Sequence, residues 1–162
     1  MSKDEDLREN MLALLTGEHS RTPFEEVIGN FPMDRINENF PNADYTPYAL
    51  LEHIRRAQAD ILEYMVTADY QDKEWPKGFW PDKKFKATAA DWEQSVKGLK
   101  KDFRDIENIV KNPRTDLYAD CPKGEGITIL REIVTVANHN AFHLGEFAMM
   151  RQAMGTWGKG HR

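Results

Sequence analysis

From Trp92 onward, apolar residues recur at Val96, Leu99, Phe103, Ile106 and Val110, at alternating spacings of four and three. That rhythm lays one continuous apolar stripe along a helix, whereas a half-buried strand needs strict alternation. The stripe has marked ends. Thr88-Ala-Ala-Asp91 has the form of a capping box, and Pro113 stops the helix after Asn112. A chain with such a stripe must bury it on other helices, and the rest of the sequence supplies them. Thr46-Pro47 opens a second helix, Thr as cap and Pro in the first turn, with an inward face of Leu50, Ile54, Ala57, Ile61 and Met65. A third runs from near Thr128 to Met154, where Gly155 is placed to end it. Leu7 to Leu15 reads as a helix broken at Gly17, and Thr22-Pro23-Phe24-Glu25 opens a short continuation that Pro32 ends. Three helices of about 23 to 27 residues and an interrupted fourth predict an all-α four-helix bundle, the simplest way to bury four stripes together.

Between the helix opened at Thr46 and the Trp92 stripe, the connection from Tyr70 to Ala87 contains Trp75-Pro-Lys-Gly-Phe-Trp-Pro81. A long aromatic and Pro/Gly-rich loop is expected to fold over something, either the bundle end as a cap or a site as a gate. The 162 residues make one domain, 1–156, with 157–162 as a flexible tail.

Charge and hydropathy exclude several classes of function. With 22 basic against 27 acidic residues, net −5, the chain lacks the basic face that holds nucleic acid. The longest apolar run, Met11 to Leu15, falls far short of the roughly 20 residues that span a bilayer. The Met-Ser-Lys-Asp-Glu-Asp start has no hydrophobic signal region, and the single Cys121 cannot close an intrachain disulfide, so a cytoplasmic location is expected.

The candidate chemistry lies in the histidines. His161 sits in the tail Gly158-Lys-Gly-His-Arg162 and His19 in the turn after the first helix, and neither is placed for a site. His139 and His143 are one helical turn apart, on a face shared with Ile129, Val136, Phe147 and Met150. Imidazoles on an apolar face must be satisfied, by hydrogen bonds inside the core or by a divalent cation. His53, beside Leu50, Ile54 and Ala57, is the third member that a facing helix can contribute. Three neutral nitrogens and an open position make a catalytic type of site, whereas structural zinc is normally closed by four ligands. Such a site would bring bound water or thiol to deprotonation near neutral pH. The zincin pattern is excluded because Asn140 follows His139. The di-iron pattern is excluded because no Glu stands three residues before any of the three histidines.

Glu146, one turn beyond His143, is placed to orient a ligand, act as a base, serve as a fourth ligand, or simply meet solvent. Glu132, two turns before His139, is placed to bond across the bundle. Cys121, between Asp120 and Pro122, has no basic neighbour to make it a nucleophile, and Met149, Met150 and Met154 are expected to pack the core. A second stripe on the last helix, Leu130, Val134, Ala137, Ala141, Leu144 and Ala148, is available to a neighbouring helix or to a homodimer interface.

The segment Ala137-Asn-His-Asn-Ala-Phe-His-Leu-Gly-Glu-Phe-Ala-Met-Met-Arg-Gln-Ala-Met-Gly155 resembles the C-terminal signature of the DinB/YfiT-like superfamily, and Leu51-Glu-His-Ile-Arg-Arg-Ala-Gln58 is similar to its upstream histidine motif. The resemblance implies an up-down-down-up four-helix bundle with a long crossover, often dimeric. It also implies a divalent metal, usually zinc or nickel, on His53, His139 and His143. Characterised members are transferases or isomerases that use bacillithiol, mycothiol or glutathione. The expected function is therefore metal-dependent transfer of a low-molecular-weight thiol to a small electrophilic substrate. Metal-dependent hydrolysis and a non-catalytic, stress-related metal-binding dimer are the alternatives. Glu146 departs from the family pattern, which commonly has Gln there.

Overall fold

The computed structural model describes residues 2–18, 24–40 and 42–157. His19, Thr22, Pro23 and His161 lie outside the described residues. The described residues are all-helical, with α1 Lys3–Thr16, α2 Phe24–Ile28, α3 Pro47–Val66, α4 Ala89–Lys111 and α5 Ile129–Ala153, and a 3-10 turn at Met33–Arg35. Among the described residues there is no strand, only an isolated bridge between Asp120 and Thr128. Among the described residues no helix is long and apolar enough to cross a membrane.

Side-chain chemistry explains most of the helix ends. Thr46, Thr88 and Thr128 each accept a backbone N–H of the first turn, and Thr88 with Asp91 completes a reciprocal capping box. The first helix begins four residues earlier than the Leu7 start expected from its apolar pattern. Ser2 and Glu5 form a second capping box, and Asp4, Glu5 and Asp6 sit at the positive end of the helix dipole. Gly17 then ends α1 in the left-handed region at φ 67°. The second helix is shorter than expected. It stops at Ile28, where the Gly29 N–H bonds the Glu25 carbonyl and Asn30 turns the chain at φ 52°, well before Pro32.

α3 packs against α4 and α5, α1 packs against the same two helices, and α2 lies on α5. α3 and α5 run antiparallel: His53 meets His143, while Gln58, further along α3, bonds Asn140, further back on α5. Leu50, Leu51, Ile54, Phe147 and Met150 are buried together near one end, with Phe31 stacked on Trp92 at 5.1 Å. Ile106, Val110, Ile133, Val136 and Leu117 fill the other part of the core. Each such side chain contributes about 1.5–3 kcal/mol on leaving water.

Two buried arginines fasten the ends of helices to distant segments. Arg8 donates to the carbonyls of Val110, Asn112 and Thr115, where α4 runs out of intrahelical partners. Arg151 donates to Val27, Gly29 and Thr156, closing the end of α2. Its guanidinium also lies 5.6 Å from the Trp157 ring centroid, so Trp157 packs on the core and is not part of a free tail.

The second stripe of α5 is only partly buried. Ala137 is inside and Val134 is 43% exposed. Ala137, Ala141, Leu144 and Ala148 line a cleft of about 420 Å³ with Leu14 and Phe103. Met150 and Met154 pack the core as expected, but Met149 is 61% exposed and does not.

Candidate metal centre

His53 lies on the inner face of α3, buried at 4% exposure, because Leu50, Ile54 and Ala57 of the same face must be covered. His139 and His143 project from α5 toward it. One ring nitrogen from each of the three lies within 4.8 Å of the other two. Ring centroids are 4.4 Å apart for His139 and His143, 4.8 Å for His53 and His143, and 5.2 Å for His53 and His139.

The outward nitrogens decide the tautomers. His53 Nδ1 faces the Phe79 carbonyl at 3.2 Å, and a carbonyl only accepts, so this nitrogen carries the proton. His143 Nδ1 donates to Glu146 Oε2 at 2.5 Å for the same reason. A neutral imidazole has one donor and one acceptor nitrogen. The two Nε2 atoms, 3.2 Å apart, are therefore both acceptors and present their lone pairs to each other. Two nitrogens on a tetrahedral zinc at ordinary bond lengths stand about 3.3 Å apart. Burial, with smaller contributions from His143 and His139 and against the Phe79 carbonyl, brings His53 down to about 4. Burial and then His143 lower His139 as well, with Asn140 and Glu146 pulling the other way. Three imidazoles gathered this closely, two of them biased by burial toward the neutral form, are a donor set that could hold a divalent cation.

No protein-family model, curated protein or solved structure matches this chain.

All three histidines singled out by spacing are thus brought together, and Glu146 is placed beside them. Its Oε2 is engaged by His143, and the Tyr45 hydroxyl donates to its Oε1 at 3.3 Å. Glu146 is thus tied through its two oxygens to His143 and Tyr45. Glu132 forms no hydrogen bond across the bundle among the described residues. Burial raises its carboxyl, as does nearby Asp60, though Arg131 opposes them. Cys121 is buried, and burial, Glu132 and Asp120 push its thiol up, away from the thiolate.

The long loop was expected to fold over the bundle end or a site, but which of its groups would reach the histidines was not legible. Trp80 stacks on the His53 ring at 4.0 Å and an interplanar angle of 5°, while the adjacent Phe79 supplies the carbonyl. Arg56, held by the buried Glu52, donates to the Trp80 carbonyl at 3.0 Å. Tyr70 and Lys73 fix the start of the loop on Asp60, and Asn37 pairs twice with the Ala87 backbone at its end. The segment therefore lies over His53. Its aromatic and proline content was the one signal available.

Proposed function

We propose that the protein is a divalent-metal-binding enzyme of the DinB-like kind, transferring a low-molecular-weight thiol to a small electrophile. The observation that carries this reading is the pair of acceptor nitrogens, on His53 and His143, facing each other at 3.2 Å beside His139. In this reading α1, α3, α4 and α5 form the four-helix bundle and α2 is an accessory turn. Zinc is the expected metal, with nickel a competitor from its place in the Irving–Williams order. The expected assembly is a homodimer.

His53, His139 and His143 would hold the cation, which supplies the Lewis acidity that makes a thiol or water nucleophilic at neutral pH. Glu146 keeps the His143 proton on Nδ1 and leaves Nε2 free. Tyr45 steadies the second carboxylate oxygen, and the Trp80 ring covers one face of His53 and keeps water from it.

Elemental analysis of untagged protein, followed by equilibrium dialysis against zinc, tests the metal. One equivalent per chain is expected, and none would overturn the reading. A conjugation screen that pairs cysteinyl thiols with small electrophiles then tests the reaction. Zinc-dependent loss of free thiol is expected. Ester or amide cleavage without thiol consumption would assign hydrolysis instead.

A further inference from the structure

Ala137, Ala141, Gly145 and Ala148 follow one another about a turn apart on α5, and these small residues leave a recess that larger ones would close. The result is the cleft of about 420 Å³, walled on its other sides by Leu14 and Leu15 of α1 and by Leu99 and Phe103 of α4. Well-packed interiors do not leave gaps of this size, and small-molecule sites begin at about 300 Å³. A Cβ on Gly145 would meet nothing within 4 Å, so no contact there demands glycine, although glycine weakens a helix interior. The missing side chain keeps the recess open. None of the three histidines lines the cleft, so it stands apart from the metal reading.

The two ends of the cleft differ in chemistry. At the buried end the amides are already engaged, Asn140 Nδ2 donating to Gln58 Oε1 at 2.7 Å and Gln58 Nε2 to the Leu99 carbonyl at 2.8 Å. Asn140 Oδ1, the one polar atom of these two amides without a partner, is closed off from solvent. That end therefore suits an apolar group. At the mouth Lys100 and Arg104 stand one turn apart on α4 and reach solvent. Lys100 Nζ lies 3.4 Å from Glu25 Oε1, whereas the Arg104 guanidinium has no ion pair or hydrogen bond among the described residues. Two cations against one carboxylate make the mouth positive on a chain of net charge −5. Residues 19–23, His-Ser-Arg-Thr-Pro, and 158–162, Gly-Lys-Gly-His-Arg, contain no large apolar side chain to fill the recess. We propose that this cleft binds a small amphipathic organic anion of the kind of a medium-chain carboxylate. Its apolar body lies between α1, α4 and α5, and its charged head meets Arg104 and Lys100.

Fluorescence titration of the full chain with anilinonaphthalene sulfonate, and with phenylnaphthylamine, which has the same rings and no charge, tests the site. Saturable binding of the sulfonate is expected, with decanoate displacing it. Gly145→Leu places a side chain in the cleft where nothing obstructs it. It should weaken both dyes at least about tenfold, through the apolar contact the dye loses, with helical circular dichroism unchanged. Ala141→Leu carries the same test if Gly145→Leu loses its helicity. Arg104→Gln should weaken the sulfonate about 2–5-fold, the worth of an exposed ion pair, and leave phenylnaphthylamine unchanged. No saturable binding, no displacement by decanoate, or full binding in whichever filled variant folds overturns the proposal. So does an Arg104→Gln protein in which the two dyes respond alike, since the cleft would then have no preference for anions. A natural chain that sediments as a dimer and a Gly145→Leu chain that sediments as a monomer would give the cleft to a second copy and overturn it equally.

Discussion

His143 Nδ1 donates to Glu146 Oε2 at 2.5 Å, one turn apart on α5. Because the carboxylate takes the outer nitrogen, the inner one keeps its lone pair. Glu→Gln at position 146 preserves an acceptor, whereas Glu146→Leu removes it. Zinc affinity by chelator competition should fall about 10–100-fold for Leu and less for Gln. Equal affinity in all three proteins would return Glu146 to the role of a solvent-facing residue.

His143→Ala leaves two imidazoles. Zinc affinity should fall by more than about 100-fold, since a lost ligand exceeds the loss of an outer partner. The far-ultraviolet circular dichroism should be unchanged, because the core clusters around Leu50 and Ile133 do not include this ring. A variant with zinc still tightly bound would mean that the metal sits elsewhere.

In metal-free protein, acid should destabilise the fold through His53. Its folded pKa is depressed to about 4 by burial, with the neighbouring imidazoles adding to the shift against the Phe79 carbonyl. The unfolded chain takes up a proton near 6.5, so between these values only the unfolded state is protonated and stability declines as pH falls. The loss approaches roughly 3 kcal/mol by pH 4. Urea midpoints measured from pH 7 to 4 should show it, and His53→Gln should flatten that part of the curve. Below it Glu52 adds a second loss. Burial would raise its carboxyl, but hydrogen bonds from Arg55, Arg56 and Ser95 win and hold it at about 2, so its stabilisation fades from pH 4.5 downward.

Trp80→Ala should uncover His53. Labelling of neutral imidazoles with diethylpyrocarbonate, followed by peptide mass spectrometry, should accelerate at His53 while the helical content stays constant. No change in rate would show that the ring stacked at 4.0 Å gives no protection.

Arg8→Met strips three carbonyls at the end of α4 of their donor. Each buried acceptor left unpaired costs about 1–3 kcal/mol, less what water recovers, so a loss of at least about 2 kcal/mol is expected in urea unfolding. A midpoint within error of the natural sequence would mean solvent replaces the guanidinium freely.

The long helices and their caps were legible because both are local. The Trp92–Val110 stripe and the Thr88–Asp91 box need only neighbours within a turn or two. The histidine pair was legible for the same reason, and His53 because its own helix face is apolar. What escaped notice spans the chain. Nothing local says that Phe79 offers its carbonyl to His53, that Arg8 reaches Thr115, or that Gln58 sets the amide of Asn140. Glu146 lay between these cases, since its spacing brought it near His143 while only the rotamers show that it bonds Nδ1 of that ring. The capping box at Ser2 and Glu5 was local too, but the acidic start of the chain was read for targeting and not for structure.

The 70–87 loop does two jobs on one ring, a carbonyl to its edge and an indole to its face, from consecutive residues. Lifting that segment from α3 would therefore strip His53 of both in one movement. Cover and alignment are mechanically a single coordinate at this ring. Whatever displaces the loop would uncover His53 and loosen its aim together, so shielding and orientation of this ring cannot be lost separately by that movement.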